Sequence, residues 1–450
     1  MGRKSVQQNL SLEQAPPISV SLRFFLTAPM FGLLAGMLLL FQGPEITASR
    51  WSPAVLALTH LITIGFISQV MCGAMMQMLP VLGGGVVPRP VLVSGVVHAL
   101  VAIGTLAMSA GFLLVSPGIQ QFAMLFLGTG FTLFVCTMGL ALWRSKVSNN
   151  TISAMWLAII SLLVTVVLGL VLLDAIASGN ASINLLMLTN IHLGWGILGW
   201  TGLLLVGVAY QVVPMFQLTP KYPNWMVRLL GFTLFSGLIV WSALYWFGES
   251  VPSIYTGNLM LICTLGFFAF AVVTLRLQFR RKRRAVDTTV YFWWVGMGSV
   301  VVATGLWAAG LLNSGLSSAP EFPFLLGVLM LAGFAVSVIN GMLYKIVPFL
   351  VWFHLQHRKM ALRRDLRMPI PNIRQIIPVS RTRHQFFIHV MACILMLVAI
   401  CIPGWLIYPA GLVLSASFLY LWINLLGALR VYLQFSETLD RPSTDAGQSA

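Results

Sequence analysis

Four histidines, His60, His98, His192 and His389, fall inside apolar stretches long enough to cross a membrane. A neutral imidazole there carries one nitrogen lone pair that can ligate a metal and one N–H that must find an acceptor. An ionisable residue in such a stretch is costly and points to function. For His60 and His192 two readings stand side by side: a ligand, or a structural imidazole satisfied by a carbonyl or hydroxyl. Nothing around His98 and His389 supports chemistry, so they read as structural. Met71, Met75 and Met78 recur at i, i+4 and i+7 on one helical face. Thioethers at that spacing can hold Cu(I). Such a stripe also serves as flexible packing, and no repeated Met-x-x-Met series or Met-rich loop accompanies it, so copper is not expected. The cysteines, at 72, 136, 263, 393 and 401, have no metal-type spacing and no Cys-x-x-Cys. They read as small buried apolar residues without disulfides.

The elements that hold these residues are membrane spans. The chain is 58% hydrophobic and 8% charged, with mean hydropathy +0.92. Apolar runs of about 20 residues, the length that crosses a bilayer core as a helix, recur throughout. Twelve are expected, at 22–42, 53–80, 91–115, 120–143, 153–176, 186–213, 227–247, 253–278, 288–313, 322–353, 385–407 and 409–434. No alternating strand pattern is visible, so a helical bundle is the spanning architecture. Residues 1–21 are polar and read as a tail rather than a cleavable signal. Residues 436–450 read as a second, disordered tail.

The net charge of +16 follows the topology. With the N-terminus in the cytoplasm, every Lys and Arg falls inside except Arg50, as the positive-inside rule requires. Both termini are then cytoplasmic. The basic loops read as orientation signals touching anionic lipid, with no nucleic-acid role. Residues 354–384 form the one sizeable cytoplasmic loop, and His354, His357 and His384 in or beside it need only solvent.

One motif occurs three times. Residues 65–80 are GFISQVMCGAMMQMLP, residues 199–214 are GWTGLLLVGVAYQVVP, and residues 333–348 are GFAVSVINGMLYKIVP. In each, two glycines lie eight residues apart (Gly65 and Gly73, Gly199 and Gly207, Gly333 and Gly341). A Gln or Lys follows four residues later, then Pro80, Pro214 or Pro348. The interval between copies is 134 residues both times. A long fixed period signals a structural repeat. The expected fold is therefore an all-α polytopic membrane protein of twelve transmembrane helices. They form three parallel four-helix repeats, about 22–143, 153–278 and 288–435, related by a pseudo-threefold axis along the membrane normal. The glycines let helices approach closely, and the prolines end or kink spans 2, 6 and 10. Gln77, Gln211 and Lys345 should reach water or headgroups.

Together these features resemble subunit I of the haem-copper oxidase superfamily, including its nitric oxide reductase branch and NnrS-like relatives. The segments that carry the likeness are THLITIGFISQVMCGAMMQMLPVLGG from Thr59 and NIHLGWGILGW from Asn190. The resemblance implies a multi-pass protein of the bacterial inner membrane, with respiratory or cytochrome partners and His60 as a haem ligand. It also marks what is missing. The family draws two haem ligands from helix 10 and a histidine pair from helix 7, and neither span here has a histidine. Where the oxygen-reducing branch has a tyrosine after the helix-6 histidine, this chain has Gly196. The resemblance therefore implies no competent terminal oxidase and leans against an enzyme. It leaves open a haem-binding relative, or a haem-free one, in respiratory redox, nitric oxide response or oxidase assembly. His192 matches His60 in depth, 22 and 20 residues before the motif proline. Its register differs by two residues, about 200° of helical rotation, so the two rings should point in different directions. The alternative class is a transporter of a small molecule or metal ion, disfavoured because the spans carry almost no charge.

Overall fold

The computed structural model describes residues 14–147, 149–180, 182–247, 253–282, 287–362, 369–402 and 404–440. Among these residues there is no strand, and twelve helices are long and apolar enough to cross a membrane. They run Ser19–Thr47, Pro53–Gly83, Pro90–Leu113, Pro117–Trp143, Asn150–Ser178 and Leu185–Gln217 for spans 1 to 6. Spans 7 to 12 are Asn224–Trp246, Gly257–Phe279, Thr288–Leu312, Glu321–Ala361, Val379–Cys401 and Ile407–Asp440. Side-chain caps start several of them. Ser52 accepts from Val55 N–H with Pro53 in the first turn, and Asn149, Asn184 and Asp287 cap spans 5, 6 and 9 in the same way. Each cap satisfies an N–H that the helix itself leaves unpaired.

Several ends lie elsewhere than hydropathy suggests. Span 11 begins at Val379, not 385, because Pro378 opens a helix whose first turn is basic. His389 therefore sits at mid-span. Span 10 continues past residue 353 to Ala361, so His354 and His357 lie on its last turns. Span 12 continues to Asp440, which takes residues 436–440 out of the expected disordered tail. Residues 441–450, 363–368 and 1–13, where the tails and part of the basic loop were expected, lie outside the described residues.

Successive spans pack side by side, and span 1 lies along span 12, closing the bundle. His354 lies within hydrogen-bond distance of Pro16 O, and Arg358 pairs with Asp440. The start of span 1, the end of span 10 and the end of span 12 therefore share one face, called here the terminal face.

Spans 2, 6 and 10 carry two local features. First, each contains a π-helical stretch, Leu61–Ser68, Trp195–Leu203 and Val328–Val336. These begin at intervals of 134 and 133 residues. The i→i+5 bonding inserts residues into the turn and is concentrated at functional sites. Second, the motif glycines face the preceding span at very short range. A Cβ on Gly65 would stand 2.4 Å from Phe31, on Gly73 2.8 Å from Phe24, on Gly199 2.8 Å from Ser161 and on Gly207 2.2 Å from Ala154. On Gly333 it would meet Ser299 at 2.4 Å and on Gly341 Phe292 at 2.8 Å. Only glycine leaves room for those approaches.

The prolines do not end the helices. Helical structure runs to Gly83 past Pro80, to Gln217 past Pro214 and to Ala361 past Pro348. Nor do the polar motif residues all reach water. Gln77 is buried and accepts from Ser21 Oγ at 3.2 Å, and Lys345 forms an ion pair with Asp287 at the cap of span 9. Neighbouring spans reach these polar ends before solvent does. Met71 and Met75 are buried in the core. Cys72, Cys263 and Cys393 are buried, whereas Cys136 and Cys401 face outward, because they fall on sides of spans 4 and 11 that no other helix covers.

Candidate functional site

His60 ends the α-helical first part of span 2, directly before its π stretch. His192 lies three residues before the π stretch of span 6. In the folded chain the two rings converge. Their centroids are 6.4 Å apart with planes inclined by 37°, although the two-residue offset suggested divergent directions. The physical reason is that two parallel helices lining one cavity from different sides present different faces to it. A rotation near half a turn is what two facing side chains need, and the offset supplies it.

Each ring is oriented by its own backbone acceptor. His60 Nδ1–H donates to Leu56 O at 2.7 Å, one turn earlier on the same helix. His192 Nδ1–H donates across to Thr165 O of span 5 at 3.0 Å. With Nδ1 protonated in the neutral imidazole, Nε2 carries the lone pair. Among the described residues no hydrogen-bonding partner meets either Nε2. A carbonyl that takes one ring N–H and so fixes the tautomer for the other nitrogen is the usual arrangement around a metal-binding histidine. Gly169, one turn beyond Thr165 on span 5, makes the space: a Cβ there would stand 2.9 Å from His192 Cε1. Phe112 of span 3 lies against the far side of His60, with ring centroids 6.0 Å apart.

Both histidines line one cavity of about 370 Å³, within the range of roughly 300–1,000 Å³ typical of small-molecule sites. Its wall is almost wholly aliphatic and aromatic, with Phe131, Trp200 and Phe418 among its larger side chains. Trp200 is held by a hydrogen bond from Nε1 to Ser68 Oγ at 3.1 Å, which also ties span 6 to span 2. Spans 10, 11 and 12 close the opposite side through residues such as Val336, Met396 and Leu414. At the end away from the terminal face stands Arg50, the only arginine or lysine lining the cavity among the described residues. Its guanidinium lies over Trp51 at 5.1 Å, and no acidic residue pairs with it among the described residues.

Two donor nitrogens, an apolar slot and one cation at the mouth can be tested against a haem. The two ring centroids stand 6.4 Å apart, close enough for both Nε2 atoms to reach one group. A haem is a flat apolar body with two carboxylates, and the aromatic wall and Arg50 suit those two parts. The residues present therefore fit the group. A bare metal ion fits less well, since no group of three His, Cys, Asp or Glu comes together among the described residues.

The other sequence candidates lie apart from this site. His98 donates from Nε2 to Thr27 Oγ1 at 2.9 Å, and Thr27 in turn donates to Arg23 O. His389 is fully buried beside Ser337. Met71 and Met75 do not line the cavity. Thr165, Gly169 and Arg50 belong to the site and were not singled out for it from the sequence. Two signals were present: Gly169 interrupts a Val/Leu run, and Arg50 is the one basic residue that the positive-inside reading leaves outside.

No protein-family model matches the chain, and no curated protein matches it.

Proposed function

We propose that this chain is a membrane cytochrome in which His60 and His192 hold one haem between spans 2 and 6. The carrying observation is that two histidines from different spans, each with Nδ1 committed to a carbonyl, meet in one apolar cavity. A haem held there would supply one-electron transfer. Leu56 and Thr165 orient the ligands, the apolar wall excludes water, and Arg50 offers a charge partner for a carboxylate. The lack of a Cys-x-x-Cys pair leaves no thioether attachment, so the group would be held non-covalently. The role is respiratory redox as a relative of haem-copper oxidase subunit I, with no oxidase activity of its own.

The three-repeat architecture belongs to the same reading. It is supported by the 134-residue motif, the recurring π stretches and the contact of each motif glycine with the preceding span. The charge distribution supports an orientation with the terminal face in the cytoplasm, and the bacterial inner membrane rests on the family resemblance alone.

The test is a reduced-minus-oxidised spectrum with a pyridine haemochrome assay on detergent-purified protein. Wild type should hold one haem per chain. His60→Ala and His192→Ala should each lose it or turn it high-spin, and His98→Ala should keep it. A well-folded wild type without haem, expressed with ample haem supply, would end this reading.

A further inference from the structure

Spans 9 to 12 differ from the rest of the bundle in what they bury. Fifteen buried side-chain nitrogen or oxygen atoms lack a hydrogen-bond partner among the described residues. Four lie on spans 2, 6 and 8, and eleven on spans 9 to 12. Buried polar atoms are almost always satisfied, by protein or by ordered water. Five of the eleven, on Asn340, Gln385, His389 and Asn424, belong to one connected series.

The polar residues in that sector are aligned. On span 11, Thr382, Gln385 and His389 fall at i, i+3 and i+7, one face of a helix. On span 10, Ser337, Asn340 and Tyr344 share a face by the same spacing. Hydrogen bonds join these faces to each other and to spans 9 and 12. Thr382 Oγ1 donates to Thr288 Oγ1 at 3.0 Å, and Gln385 Nε2 to Ser417 Oγ at 3.1 Å. Asn424 Nδ2 donates to Tyr344 Oη at 3.0 Å. At the top, Ser337 Oγ donates to Ala332 O at 3.2 Å, so His389 Nε2–H donates to Ser337 Oγ at 2.8 Å.

Three of these four steps leave an atom over. Asn340, 0% exposed, has neither its oxygen nor its nitrogen paired, and Gln385 Oε1, Asn424 Oδ1 and His389 Nδ1 are also unpaired. The series starts at the terminal face, where Lys345 and Asp287 pair and remain partly exposed. It stops at the floor of the cavity, which is lined by Ala332, Val336 and Met396, next to Ser337 and two turns beyond His389.

We infer that spans 9 to 12 hold a chain of internal water running from the Lys345–Asp287 pair to His389. The waters donate to Gln385 Oε1, Asn424 Oδ1 and His389 Nδ1 and bridge both ends of Asn340. Water, and with it exchangeable protons, reaches the cavity floor from the terminal face by this column, while the cavity itself stays apolar. The inference stands independently of the haem reading, since it uses neither His60 nor His192.

The experiment is radiolytic hydroxyl-radical labelling of the full-length protein in lipid nanodiscs, read by mass spectrometry. Radicals formed from bound water label side chains beside it. Cys393, whose Sγ lies 3.7 Å from His389 Nε2, is compared with Cys263 of span 8; both are buried. Cys393 should label several-fold faster than Cys263. Asn340→Leu should bring it down to the Cys263 level with Cys263 unchanged, and Gln385→Met serves as the second variant if the first does not fold. Equal labelling of the two cysteines in wild type would overturn the proposal. So would labelling of Cys393 that neither folded variant lowers.

Discussion

Gly169→Ala tests the geometry of the histidine pair without touching either ligand. A Cβ on Gly169 would lie 2.9 Å from His192 Cε1 and 3.4 Å from Nδ1, where ordinary contact begins at 3.4 Å. The ring must retreat by about 0.5 Å, which is the tolerance within which a binding constellation keeps its function. The Nδ1–Thr165 O bond is already 3.0 Å long. A shift of that size away from Thr165 stretches it to about 3.5 Å, the edge of a hydrogen bond. Loss of the carbonyl that orients a ligating imidazole costs about 10–100-fold in metal affinity, or roughly 1.4–2.8 kcal/mol. Haem retention should fall by that factor, measured as transfer to an excess of a haem scavenger with the Soret band as readout. Gly169→Val should abolish binding. Gly305→Ala is the control, because nothing lies within 4 Å of its added Cβ. Wild-type retention and an unshifted Soret band in Gly169→Val would refute the assignment of His192 as a ligand.

Two further predictions concern the scaffold. Gly207→Val places a side chain 2.2 Å from Ala154 Cβ, and overpacking of this kind costs about 1–3 kcal/mol; its thermal midpoint, followed by fluorescence-detected size exclusion, should drop clearly below that of Gly305→Ala. Lys345→Met leaves Asp287 unpaired at a partly exposed site. It should cost about 1 kcal/mol or less, and Lys345→Met with Asp287→Asn should recover most of the loss. A single variant as stable as wild type would show that the pair contributes nothing.

Twelve spans were legible in the sequence, because apolar length acts locally. The glycine spacing was legible too, although not which span each glycine faces. Helix ends were less so: Pro378 starts span 11 inside a basic segment that hydropathy assigns to a loop. The functional site was half visible. His60 and His192 stand out as histidines in apolar runs, and their depth from the motif prolines follows from counting residues. Their meeting could not be counted. Periodicity along one helix gives the direction of a side chain relative to its own axis, and says nothing of what lies opposite. The two-residue offset read as divergence only while the facing relation of spans 2 and 6 was unknown. Thr165 O, Gly169 and Arg50 reach the site from span 5 and from the connection before span 2. The polar column is likewise spread over four helices whose hydrogen-bonded neighbours stand 32 to 94 residues apart in the chain. Local composition determined which segments enter the membrane. Only the packing of those segments decided which buried polar groups face each other, since that depends on distances between helices that no single stretch of chain encodes.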